Sequence, residues 1–359
     1  MNNAQNVVLG LVQKSIDSSI DINIPVEVNW TEVRNCAKEQ GVLGFCFDSI
    51  GDLPPDLSPD MDNLMDWQYH VLCMEHWYAK HVGHIAELAR FYESNSIKMV
   101  LLKGYGLSLN WPKPNHRPIG DIDIYLGSLW HYGDQIVHDK LGIEVDDSHE
   151  HHTTFTYKKT MVENHYDFIN TKLHRSNVQK EKVLKELARN KTITTMVDGA
   201  TVQLPSPIFN AVFLPYHIGK HFAGSEMILR QILDWCFFVR AYHDQIDWNI
   251  VIPILKDFGI YRFFNHLNAI CVDYLGLDES HFPPIERNKY IEERIFNDVF
   301  SPEFVEVKPK DGLVPVLWFK LRRYFANRWK RNMIYKDGIW CSFVYGVIFH
   351  LKRFSTIKD

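Results

Sequence analysis

The sequence predicts an α+β protein in which a small mixed β-sheet core is flanked by N-terminal and C-terminal helical regions. Three observations lead there. Apolar residues recur at three- and four-residue spacing before residue 95 and again after residue 208. Between these stretches lie short β-branched or aromatic runs bounded by turn residues. Within that middle part, Gly120-Asp121-Ile122-Asp123-Ile124 alternates with a period of two, so two carboxylates share one strand face and two isoleucines the other. At 359 residues the chain can build a sizeable core, and 46% hydrophobic with 23% charged residues is ordinary globular composition.

In chain order, residues 1–95 read as a helical region. Trp30–Ile50 and Leu64–Glu93 carry the helical spacing, separated by the Pro-rich breaker around Pro54, Pro55 and Pro59. His70, His76, His81 and His84 on the second stretch read as a polar face of a surface helix. Residues 96–207 form the α/β core, with strands expected at Ile97–Leu102, Asp121–Leu126, Gly142–Asp146, Thr153–Thr160 and Met161–Ile169, and a last one at Thr201–Leu204. Helices are expected after Gly106, around Trp130–Asp139 and over Lys180–Asn190. Residues 208–300 are helical again, in the stretches Phe209–Phe222, Glu226–His243, Asn249–Gly259 and Tyr261–Leu275. Residues 301–359 are a basic, aromatic segment expected to pack on the rest.

Asp121 and Asp123 on one strand face repel each other, and neither tolerates burial unpaired. A divalent cation removes that cost, and Mg²⁺ or Mn²⁺ with oxygen ligands is the natural choice. A third carboxylate is available in Met161–Asp167, where Glu163, His165 and Asp167 share a face by alternation. Glu163 is the first choice and Asp167 the reserve. His165 reads either as a partner of a carboxylate or as an exposed strand residue. Upstream, Gly104 and Gly106 permit close approach of backbone to a phosphate, with the helix start behind them. Lys103 and Arg117 bracket the loop as phosphate contacts, and Ser108 is a weaker one. Tyr105 and Tyr125 lie near enough in sequence to stack on a base.

The set Lys103-Gly104, Arg117-Pro118, Asp121-Ile122-Asp123 and Glu163-Asn164-His165-Tyr166 resembles the nucleotidyltransferase superfold of DNA polymerase beta and the antibiotic nucleotidyltransferases. It is more closely similar to a bacterial group of uncharacterised nucleotidyltransferases, and the likeness runs loosely from about Leu64 to Leu277. Two positions depart from the superfold: Gly104-Tyr105-Gly106 replaces a Gly-Ser or Gly-Gly loop, and Glu163 replaces the commoner Asp. The resemblance implies metal-dependent transfer of a nucleoside monophosphate from a nucleoside triphosphate, ATP foremost, to an acceptor hydroxyl. The acceptor is a small molecule, glycan precursor, peptide or protein, and pyrophosphate is released. It also implies that His217 and His221, in Leu214–His221, line the cleft near phosphate or acceptor. Asp234 reads either as an ionic partner or as a helix-surface residue. The alternative is a catalytically inactive nucleotide-binding or scaffold protein of the same fold.

Other readings fare worse. A net charge of −5 provides no global attraction for nucleic acid. The basic cluster from Lys320 to Lys336 reads first as a solvated helix face, then as an RNA-contact or anionic-membrane patch. The longest apolar run, Ile339–Phe349, is eleven residues, against the ~20 needed to span a bilayer. No signal peptide is evident, and six scattered cysteines without a CxxC pair suit a reducing, cytoplasmic setting. Leu109 occupies the third glycine position of G-x-G-x-x-G, so a dinucleotide fingerprint fails, and no P-loop or G-x-S-x-G elbow occurs. His149-Glu150-His151-His152 lacks H-E-x-x-H spacing and reads as a turn before a strand, which argues against zinc.

Overall fold

The computed structural model describes residues 1–336 except 26, 173, 225, 226, 310 and 311. The apolar run Ile339–Phe349 therefore lies outside the described residues. Four helices come first: α1 (Asn3–Ile16), α2 (Trp30–Glu39), α3 (Leu43–Ile50) and α4 (Met61–Ser94). Each of α1, α2 and α4 starts on an Asn or Asp whose side chain accepts backbone N–H bonds of the first turn. The middle of the chain gives β1 (Val100–Leu101), α5 (Gly104–Ser108), β2 (Ile122–Tyr125), α6 (Trp130–Leu141), β3 (His152–Tyr157) and β4 (Thr160–His165). It continues with α7 (Asn177–Asn190), β5 (Thr192–Val197) and β6 (Ala200–Pro205). Helices follow again: α8 (Pro207–Gly224), α9 (Leu229–Tyr242), α10 (Trp248–Phe258), α11 (Tyr261–Asp273), α12 (Lys289–Phe300), α13 (Leu313–Ala326) and α14 (Arg328–Ile334). No helix among the described residues is long and apolar enough to cross a membrane.

The strands form one mixed sheet in the order β3-β4-β2-β1-β6-β5. Its two outer pairs are hairpins with two-residue turns, Lys158-Lys159 and Asp198-Gly199, in which both residues have positive φ. That backbone twist matches the twist of the strands it joins. The centre is parallel where β2 meets β4 and β1 meets β6, and antiparallel where β1 meets β2.

Two cores result. Ile122, Ile124 and Val162 project to one sheet face and pack with Ile85, Leu88, Ala89 and Tyr92 of α4 and with Ile136 and Val137 of α6. The larger core is helical, built on Phe45, Trp67, Phe209, Phe222, Trp235, Phe237 and Phe263 among others. The opposite sheet face carries Asp123 and Glu163.

Four local readings differ from the structure. Gly142–Asp146 is not a strand; only Asp146 forms a bridge, with Thr154. Strand β4 ends at His165, short of Asp167. Strand β5 was not foreseen, because its threonine-rich sequence carries little apolar alternation and follows a helix without a breaker. His81 also leaves the surface reading of α4: it is 2% exposed, inside the helix's packed face.

Candidate active site

Backbone register assembles the acidic centre. In the parallel pair β2–β4, Asp123 is the Cα partner of Glu163 and Tyr125 that of His165. Alternation then places Asp123, Glu163 and His165 on one face. His165 Nε2 lies 2.9 Å from Asp123 Oδ1 and 3.2 Å from Glu163 Oε2. Lys103 enters from the other side, because the antiparallel pairing of β1 with β2 ends beside Asp123, where Leu102 N donates to the Asp123 carbonyl. Its Nζ reaches Asp123 Oδ1 at 2.7 Å. To make that turn Lys103 adopts φ +43° and Gly104 φ +33°, a region strained for a side chain and open to glycine.

The electrostatics follow from this packing. Burial would push the Asp123 carboxyl up, but Lys103 and the His165 hydrogen bond override it and hold it well below the carboxylate range. Burial also opposes ionised Glu163, and His165 again reverses the sign, leaving Glu163 lowered. His165 moves upward: burial disfavours its charge, while its bonds to Asp123 and Glu163 favour it. Asp121 is exposed in the bend before β2, yet its proton affinity is raised, first by burial of its carboxyl and then by repulsion from Glu163 and Asp123.

Helix α8 covers this face with His217, Lys220 and His221, which share one side of the helix by their three- and four-residue spacing. Burial lowers Lys220, Lys103 lowers it further, and Glu163 opposes both, so the three charges are neighbours. Burial likewise keeps His217 neutral and brings His221 to about 4, with Lys103 and Lys220 adding to it.

The remaining candidates are placed as follows. Gly104 stands beside the carbonyl of Asp121, whereas Cβ at Gly106 would meet Leu204 at 3.1 Å, so Gly106 serves packing of α5 on the sheet. Arg117 is 4% exposed and clasps Asp234 on α9, Nε to Oδ1 at 2.6 Å and Nη2 to Oδ2 at 2.8 Å, with Nη1 donating to the Pro118 carbonyl. Trp111 Nε1 donates to the same carboxylate at 2.9 Å. Its nitrogens are thus committed to holding the loop ahead of Asp121. Asp167 pairs with Lys185, off the strand face. Ser108 is buried against Tyr78, and Tyr105 packs on that same ring, while Tyr125 lies against Phe168.

Sequence reasoning overlooked Lys220 altogether. Its signal was the His217-x-x-Lys220-His221 spacing on a helix following the acidic strands. His151 and His152 were set aside for want of a helical motif, yet the β3–β4 hairpin brings them against His165: ring centroids are 5.7 Å apart for His151 and 5.2 Å for His152. Burial lowers His151 to about 2 and His152 to about 4.

Residues 26–276 match the model of a protein family described as uncharacterised nucleotidyltransferase. No curated protein matches the chain. Among solved structures it is similar to an antigenic nucleotidyltransferase-like protein from Paracoccidioides brasiliensis, at 14% identity over 55% of this chain and 92% of that one, with a TM-score of 0.36. The family match covers most of the chain and contains every site residue named above. The chain belongs to the family of uncharacterised nucleotidyltransferases.

Proposed function

We propose that the protein moves a nucleoside monophosphate from a nucleoside triphosphate, ATP foremost, to an acceptor hydroxyl. The carrying observation is the register that sets Asp123 opposite Glu163, beside Asp121 and facing Lys103 and Lys220. The donor set fits a hard divalent cation: Asp123 and Glu163 offer oxygens within 4.8 Å of each other, and the Asp121 anion is disfavoured by burial and by repulsion from both. Asp121, Asp123 and Glu163 would hold Mg²⁺ or Mn²⁺, which when bound neutralises phosphate charge and lowers the barrier to displacement at phosphorus.

The chain's own groups do the rest. A bond forms between the acceptor oxygen and the α-phosphorus, the α–β bridging P–O bond breaks, and pyrophosphate departs with its electron pair. The acceptor's proton passes to a carboxylate of the acidic group as the new bond forms. Lys103 and Lys220 place positive charge where the leaving pyrophosphate gathers negative charge. His217 and His221, neutral, line the α8 side. Arg117 acts at one remove, fixing through Asp234 the loop that presents Asp121.

A second reading rests on the Lys103–Asp123–His165 set, which already neutralises Asp123 without an ion. It makes the protein a nucleotide-binding or scaffold member of the family that does not turn over. Labelled ATP with Mg²⁺ or Mn²⁺, offered with small-molecule, glycan and protein acceptors, separates the two. Binding lost in Asp121→Asn and Asp123→Asn together with pyrophosphate release supports the transferase. Binding without release over the acceptor set supports the second reading. Unchanged nucleotide affinity in the Asp121→Asn/Asp123→Asn double variant refutes both.

A further inference from the structure

Beside the acidic centre, and sharing Glu163 and His165 with it, lies a second constellation whose other histidines the transfer reaction does not use. His151 immediately precedes β3, His152 opens it, and His165 closes β4. The antiparallel register pairs His152 directly with His165, and the two-residue turn at Lys158-Lys159 leaves no freedom to slip it. His151 is pinned across the same hairpin end, its carbonyl accepting from both Tyr166 N and Asp167 N, at 3.2 and 3.1 Å. One ring nitrogen from each of His151, His152 and His165 lies within 4.8 Å of the others. Glu163 turns its two oxygens to this group, Oε1 3.8 Å from His152 Nε2 and Oε2 3.2 Å from His165 Nε2.

His165 is held by the protein, Nε2 to Asp123 at 2.9 Å and Nδ1 to the Asp167 carbonyl at 3.4 Å, but the other two rings are not satisfied. His152 is 8% exposed, and the Nδ1 atoms of both His151 and His152 are buried with no hydrogen-bond partner. Buried ring nitrogens ordinarily find one. His152 is further wedged by His149, stacked on it at 4.7 Å between centroids, and by His151, edge-on at 4.4 Å. Four imidazoles gathered on one hairpin have no account in core packing or in phosphate binding.

We propose that His151, His152 and His165 form a binding site for a borderline-soft divalent transition-metal ion of the Zn²⁺ type, with Glu163 as the adjoining carboxylate. Imidazole nitrogen suits Zn²⁺ and its neighbours in the series, whereas Mg²⁺ takes oxygen ligands. Tetrahedral Zn–N bonds of about 2.0–2.1 Å put ligand nitrogens about 3.3–3.4 Å apart. The site abuts the acidic centre through Glu163 and His165, so its occupancy fixes the orientation of the carboxylate that faces Asp123.

The test titrates the chelator-stripped full chain with Zn²⁺ against a chromophoric competitor, and with Co²⁺ to read ligand-field absorption. One equivalent bound, weakened at least tenfold in His151→Ala and in His152→Ala and retained in His149→Ala, is the expected result, with a Co²⁺ spectrum typical of nitrogen-rich low coordination. Thermal unfolding of each variant in the absence of metal shows whether the hairpin is intact. A variant that fails to fold is replaced by His151→Gln or His152→Gln, for which the same loss is expected. Absence of stoichiometric Zn²⁺ binding, or binding unaffected by both substitutions, overturns the proposal. Asp121→Asn serves as the separating control. It is expected to keep Zn²⁺ while losing Mg²⁺-dependent ATP binding, so failure of the zinc site and failure of the transferase reading show in different measurements.

Discussion

The clasp between Arg117 and Asp234 offers the sharpest test of how the fold presents its acidic centre. Both side chains are nearly inaccessible, at 4% and 8%, and their bidentate bonds of 2.6 and 2.8 Å tie the loop ahead of β2 to helix α9. Asp234→Asn retains shape but removes the opposing charge, leaving a guanidinium in a buried site without the carboxylate that pairs with it. Breaking one partner of such a pair costs about 3–5 kcal/mol. The amide oxygen still accepts one bond, so the expectation is the lower end, about 3 kcal/mol. Urea unfolding followed by tryptophan fluorescence measures it, with Arg117→Met, Asp234→Leu and the double variant Arg117→Met/Asp234→Leu completing a cycle. The double variant should recover part of the loss, since an apolar pair of similar volume carries no desolvated charge, while the Trp111 indole N–H loses its acceptor. A shift below about 0.5 kcal/mol in Asp234→Asn, or strict additivity in the cycle, would refute the argument that this pair organises the loop.

Other outcomes follow from the same reasoning. His116, whose rings' two nitrogens face Asp48 at 3.0 Å and Glu75 at 2.9 Å, is raised by those bonds despite burial. Its contribution is present in full below the unfolded value of about 6.5 and is lost as pH rises through the folded value. Stability measured from pH 5.5 to 9 should therefore fall less steeply in His116→Gln. Gly199→Ala forces a side chain into φ +74° and should cost about 1–2 kcal/mol, read as a lowered urea midpoint. Lys220→Met should lower ATP affinity about tenfold or more, the scale of one charge-assisted contact, without loss of thermal stability, because it removes a buried ammonium that Lys103 repels. Equal ATP affinity in that variant would remove Lys220 from the site.

Much of the centre was legible because its signals are local. Asp121-Ile122-Asp123 announces a two-faced strand, and Val162-Glu163-Asn164-His165 a second one, so their union needed only a sheet to join them. Lys103 could be read as a charge flanking a glycine bend. What escaped depends on pairing across distance. Arg117 and Asp234 are 117 residues apart, and neither residue states on its own whether it binds phosphate or its distant mate. Glu163 and Asp167 are equivalent by alternation, and only the end of β4 at His165 separates them. His151 and His152 carry no motif in one dimension. Their neighbour is set by the length of a hairpin turn.

Helix α4 reaches into both cores. Its first turns bury Trp67 and Val71 among the helices, and its later turns bury Tyr78, Ile85, Leu88 and Tyr92 under the sheet. At 34 residues it is a rod of about 50 Å, and it acts as a common axle. Adding or deleting one residue between Val71 and Tyr78 would turn everything downstream by about 100° relative to everything upstream. Either the apolar stripe under the sheet or the one among the helices would then face water. The spacing along this single helix thus keeps two separately packed halves in phase, and its middle turns should tolerate changes of side chain far better than changes of length.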